Sequence, residues 1–131
     1  MDSKQVAKDT AKFLQNYLTY QAVKVIVQQL SETNPPEAIW LSRYSASKLE
    51  DAEAYIQGLM LERKDLVLRI LTVREHLGEA VLDFLPAMVK LGIKDANMQH
   101  RRQLLERLTQ TPELESTASE SESDPTVPQD E

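Results

Sequence analysis

Residues 17–34, YLTYQAVKVIVQQLSETN, followed at once by Pro35 and Pro36, decide the fold class. At roughly 100° per residue, this stretch and the residues before it form a helix that is apolar on two separate sides. Ala7, Ala11, Leu14, Leu18, Ala22 and Val25 fall on one narrow stripe, and Val6, Phe13, Tyr17, Tyr20 and Val27 on another. A helix facing one core needs a single stripe. The first is small and aliphatic, which suits close packing inside a bundle; the second carries two tyrosines and a phenylalanine, which suits a surface that binds a partner. Tyrosines three apart also occur at the edge of a core with their hydroxyls in water, and periodicity alone does not separate the two readings. Scarcity favours binding: the chain has 4 Tyr, 2 Phe and 1 Trp, and three of these occupy positions 13, 17 and 20.

Working outward, the pattern predicts an all-α chain, a helical bundle with one long C-terminal helix and no strand. Helix one is expected over about residues 3–32. Asn34 then ends it and caps a short second helix, about 35–44, with Pro35 at the first helical position and Trp40 as a core anchor. Ser47, Lys48, Leu49 and Glu50 spell a capping box for a third helix, about 48–61. Residues 65–108 carry helical periodicity through Leu66, Ile70, Val73, Leu77, Val81, Phe84, Leu85 and Met88. As one helix this run would span roughly 65 Å, about twice the diameter of a small domain. Pro86 is expected to kink it, the alternative being two helices that fold back there. An apolar stripe projecting beyond its own bundle points to a homodimer about a two-fold axis.

Composition narrows the function classes. A chain of 131 residues is one domain, with a modest core and no room for a deep enclosed cleft, so a partner is expected. With no cysteine, disulfides, thiolate catalysis and a thiolate zinc site are excluded. The opening MDSKQVAKDT lacks a secretory apolar region and no stretch is long enough to span a membrane, so a soluble intracellular protein is expected. The formal charge of −6 belongs to the end of the chain: residues 109–131 hold 7 acids and no base, leaving 14 acids against 15 bases in residues 1–108. The tail 111–131, rich in serine, glutamate and proline, reads as an acidic disordered segment beyond a 1–110 domain.

Nothing in the chain spells catalysis, and no enzyme activity or cofactor is expected. His76 and His100 are its histidines; Glu75, His76 and Glu79 resemble half of a helical metal site, but Val73 stands where the Glu-x-x-His pattern needs a carboxylate. Glycines occur at 58, 78 and 92 only, so no phosphate-binding loop is present. Arg101, Arg102 and Arg107, with Asn97 one turn earlier, either complement the end of a helix dipole or meet an acidic partner surface. Nucleic-acid binding is disfavoured by the near-neutral body and the lack of a second basic stripe.

The strings YLTYQAV (17–23), QLSETNPP (29–36), IWL (39–41), LRILTVREHL (68–77), DFLPAMV (83–89) and ANMQHRRQLLERLTQ (96–110) together resemble the RbcX family of cyanobacterial Rubisco assembly chaperones, over residues 1 to about 110. The resemblance implies an arc-shaped homodimer that acts without ATP. Its central groove would bind the C-terminal peptide of the Rubisco large subunit and promote assembly of large-subunit cores for carbon dioxide fixation. It implies a cytoplasmic setting with carboxysome association, and no nucleic-acid or membrane partner. Tyr17, Tyr20, Gln29, Thr33, Asn34, Leu49 and Glu50 match the groove, and Arg69, Asn97, Arg101 and Arg107 the peripheral contacts to the subunit body. Glu50 departs from the pattern, which commonly has glutamine there; a carboxylate at this place either caps a helix or alters the peptide contact. A helical dimeric scaffold without a peptide client is the competing class.

Overall fold

The computed structural model describes residues 2–123, with side chains through residue 110. It is all-α: α1 (Ser3–Thr33), α2 (Pro35–Ser45), α3 (Ala52–Glu62) and α4 (Lys64–Ser123), with no strand among the described residues. Two compact units are formed, Met1–Phe84 and Leu85–Glu131.

In the first unit the helix ends follow local chemistry. Asp2 caps α1 by accepting a hydrogen bond from the Lys4 N–H at 3.0 Å. Asn34 closes α1, its N–H donating to the Leu30 carbonyl at 2.6 Å, and opens α2, where its Oδ1 accepts from the Glu37 N–H at 3.4 Å. Its Nδ2 donates to the Glu37 carboxylate at 2.9 Å, so one residue joins the two helices as the Asn-Pro-Pro sequence predicts.

The third helix begins later than the sequence reading places it. Residues 46–51 form turns, and Asp51, not Ser47, caps α3 by accepting from the Ala54 N–H at 3.3 Å. The cause is tertiary. Asn16 of α1 donates its Nδ2 to the Glu50 carbonyl at 3.2 Å and accepts the Ala52 N–H at 3.1 Å, which fastens the turn to α1. Glu50 therefore has no capping role; its backbone is what the fold uses.

The core joins Ala22, Val23, Ile26 and Leu30 of α1 to Ala38 and Leu41 of α2, Tyr55, Ile56 and Leu59 of α3, and Leu66, Val67 and Ile70 of α4. This corrects the aliphatic stripe: of its six residues only Ala22 is buried, Leu14, Leu18 and Val25 are half-buried, and Ala7 and Ala11 are exposed. The true core face, Thr19–Ala22–Val23–Ile26–Leu30, runs between the two stripes. Its polar member, Thr19, donates to the Gln15 carbonyl at 2.7 Å and accepts from Arg74 Nη1 at 3.2 Å, which satisfies the buried hydroxyl. Arg74 also pairs with Glu53 at 3.2 Å. Trp40 is half-buried against the core rather than within it, and stacks on Tyr44 at 5.1 Å.

α4 is one helix and not two: Pro86 lies inside it and the helix continues. It also extends past Leu108, where the sequence reading ends it, to Ser123. Glu113, Leu114, Glu115, Ala118 and Glu120 are good helix formers in that extension. The remaining tail residues, 124–131, lie outside the described residues. In the second unit α4 exposes Met88, Val89, Leu91, Ile93, Met98, Leu104, Leu105 and Leu108.

Candidate functional site

The aromatic stripe of α1 is surface. Phe13 is 74% exposed, Tyr17 53% and Tyr20 44%. From Tyr20 onward, α1 and the end of α2 with the following turn line an open groove of about 570 Å³. One wall is α1, with Tyr20, Val23, Lys24, Val27, Gln28 and Ser31; the other is the end of α2 and the following turn, with Ser42, Ser45, Ala46 and Leu49. Val23, Val27 and Leu49 give it an apolar lining, and the exposed Ser42 hydroxyl and Gln28 amide are available for a peptide backbone.

The wall is held from behind. The Ser45 hydroxyl is 2.6 Å from the Tyr55 hydroxyl in the buried layer between α2 and α3. Burial of Tyr55 raises its pKa; the bond to Ser45 opposes that rise, and neighbouring Tyr44 adds to it. At the far end, Asn16 fixes the turn that carries Leu49.

Of the residues matched to the groove, the structure brings Tyr20 and Leu49 together. Tyr17 continues Tyr20's stripe one turn earlier, outside the lining. Gln29 lies on the opposite face of α1, nine positions or two and a half turns from Tyr20, and accepts from Arg69 Nη2 at 2.8 Å. A residue matched to the groove and one matched to the periphery thus touch. Thr33 donates its hydroxyl to the Gln29 carbonyl at 3.1 Å, and the Asn34 side chain is engaged in its cap. The exposed Glu50 side chain does not line the groove. In the second unit Asn97 and Arg101 share a face of α4 one turn apart, while Arg107 stands about a third of a turn round.

A second aromatic group, Trp40 and Tyr44, is covered by its own cations: Arg63 lies 4.8 Å from the Trp40 ring centroid and Lys48 3.8 Å from that of Tyr44. Sequence reasoning missed Asn16, Lys24, Ser42 and Ser45. For Ser42 and Ser45 the available signal was a small-polar face on α2, at i and i+3 opposite Trp40. Among the described residues no group of three His, Asp or Glu is placed to hold a metal, and no helix is long and apolar enough to cross a membrane.

The RbcX protein family model matches residues 1–110. The chain belongs to the RbcX family. A RuBisCO chaperone RbcX from Anabaena sp. strain CA is 57% identical over 122 residues, which cover 93% of this chain and 90% of the relative. The crystal structure of RbcX in complex with substrate is similar with a TM-score of 0.76 and 60% identity, covering 83% of this chain and 99% of that one. The crystal structure of RbcX point mutant Y17A/Y20L has a TM-score of 0.78 and 57% identity, covering 82% and 99%. The expected family and the expected all-α architecture with a long C-terminal helix are both as found.

Proposed function

We propose that this chain is an assembly chaperone for Rubisco, working by binding alone, without ATP, cofactor or catalysis. As a homodimer in the cytoplasm it holds the C-terminal peptide of the large subunit and promotes assembly of large-subunit cores. The observation that carries this reading is the open groove lined by Tyr20 and Leu49 in a member of a family with a substrate-bound structure. Tyr17 and Phe13 extend the aromatic surface from the groove along α1. Aromatic faces grip side chains of an extended peptide, and the Tyr20 and Ser42 hydroxyls and the Gln28 amide hydrogen-bond its backbone without dictating a single sequence.

A second copy supports the assignment in two ways. The exposed apolar residues of α4 suit burial against an identical helix. Gln29, Thr33, Asn34 and Glu50, which do not line Tyr20's groove within one chain, reach the peptide through the partner of a two-fold pair. Arg69, Asn97, Arg101 and Arg107 then contact the body of the large subunit. The ordering cost of a flexible peptide keeps affinity at about micromolar, which allows release when assembly proceeds.

The test is a titration of a labelled C-terminal large-subunit peptide, followed by anisotropy with a scrambled peptide as reference. Saturable binding of the native order alone supports the reading. Equal binding of both, or of neither, favours a dimeric scaffold without a client.

A further inference from the structure

Lys24 is the one charged residue among those lining the groove between α1 and α2, and no carboxylate lines it. Most lysines on a helix surface do nothing beyond solvation, but three observations set this one apart. It is exposed and makes no ion pair among the described residues. Its ammonium lies 5.6 Å from the Tyr20 ring centroid, near the outer limit of a cation–π contact, so little holds it when a stronger partner arrives. Around it lie the apolar Val23 and Val27, which keep part of the solvent away from any charge brought alongside.

We infer that Lys24 makes the groove select for a carboxylate in the bound peptide, two residues from the aromatic or aliphatic side chain that packs on Tyr20. The spacing follows from chain geometry. An extended peptide rises about 3.3 Å per residue and turns successive side chains to opposite faces, so side chains two positions apart share a face at about 6.6 Å, close to the 5.6 Å between the ammonium and the ring. The ammonium moves from the weak ring contact to a charge-assisted hydrogen bond, and the peptide side chain takes the ring face that it leaves. This deepens the proposed peptide-binding role and rests on it.

The experiment uses the full chain, the C-terminal peptide of the large subunit, and the same peptide with every Asp and Glu changed to its amide. Each is titrated by anisotropy at low ionic strength against the unsubstituted protein, Lys24→Gln and Lys24→Arg. The native peptide should bind the unsubstituted protein more tightly than the amide peptide. Lys24→Gln should weaken the native peptide about 3- to 5-fold, as expected for a partly exposed pair, leave the amide peptide unchanged, and be rescued by Lys24→Arg. If native and amide peptides bind the unsubstituted protein equally, or Lys24→Gln weakens both alike, the inference falls while the peptide-binding role stands. If neither peptide binds the unsubstituted protein, both fall.

Discussion

Replacing Asn16 by alanine tests whether the turn that carries Leu49 into the groove is held by one side chain. The substitution removes the acceptor of the Ala52 N–H at 3.1 Å and the donor to the Glu50 carbonyl at 3.2 Å. Ala52 is fully buried, so its donor is left unsatisfied at a cost of about 1–3 kcal/mol. The exposed Glu50 carbonyl turns to water, and its loss costs about 0.5 kcal/mol or less. Against these stands a gain of roughly 0.5 kcal/mol, because alanine is the better residue inside α1. The net destabilisation is therefore about 0.5–3 kcal/mol. Urea unfolding at fixed protein concentration, followed by helical circular dichroism, should show a midpoint lower by roughly 1 M with an unchanged slope. Neighbouring Gln15→Ala, which has a smaller helix gain and removes no clamp, serves as control. An Asn16→Ala midpoint at or above the control's would refute the reasoning. Freed from α1, the turn should also release Leu49, so peptide affinity falls with stability.

Tyr20→Ala should leave dimerisation intact, as read by sedimentation, and weaken peptide capture by about 1–2 kcal/mol; unchanged affinity would make the stripe structural. Arg69→Ala should spare isolated-peptide affinity while lowering the yield of assembled large-subunit cores, which a reconstitution assay reads directly. Gly58→Ala should fail to give the helix gain of about 1 kcal/mol, because the new Cβ would meet the Tyr44 hydroxyl at 3.0 Å. Gly78→Ala, where the nearest contact is Leu18 at an ordinary 3.7 Å, should show that gain in thermal melts. Because burial raises the Tyr55 pKa, the folded state keeps that proton at a pH where the unfolded chain has lost it. Stability should thus be unaffected below about pH 10 and decline above it, and Tyr55→Phe should flatten that alkaline decline in pH-dependent urea melts.

The helices were legible because their punctuation is chemical and local: Asn34 with Pro35 and Pro36 specifies an end and a start within three residues. The exposure of Tyr17 and Tyr20 was legible for a different reason, since few aromatic residues were available and three of them fell together. The core face of α1 was hidden by Thr19. A hydroxyl in the middle of an apolar stripe masks it from periodicity, and only Arg74, 55 positions away, reveals how that hydroxyl is tolerated. The start of α3 was misplaced on the same grounds. A sound capping box at Ser47 lost to Asn16, more than 30 residues earlier, and no local rule anticipates such a bond. The second groove wall escaped notice because Ser42, Ser45 and Ala46 are small, and space left by small side chains becomes visible only once two helices are set at an angle.

That angle is governed by a joint of one residue. With Asn34 shared between two helices there is no loop to absorb a change of length, and one inserted residue would turn α2 by roughly 100° about its own axis. Ala38 and Leu41 would leave the core, and Ser42 and Ser45 would swing away from α1. The width of the groove is thus a backbone dimension, fixed by a hinge with no play at Asn34 and a clasp at Asn16. The exposed side chains along it, such as Lys24, Gln28 and Ser42, are free to change with the client while the jaw keeps its gauge.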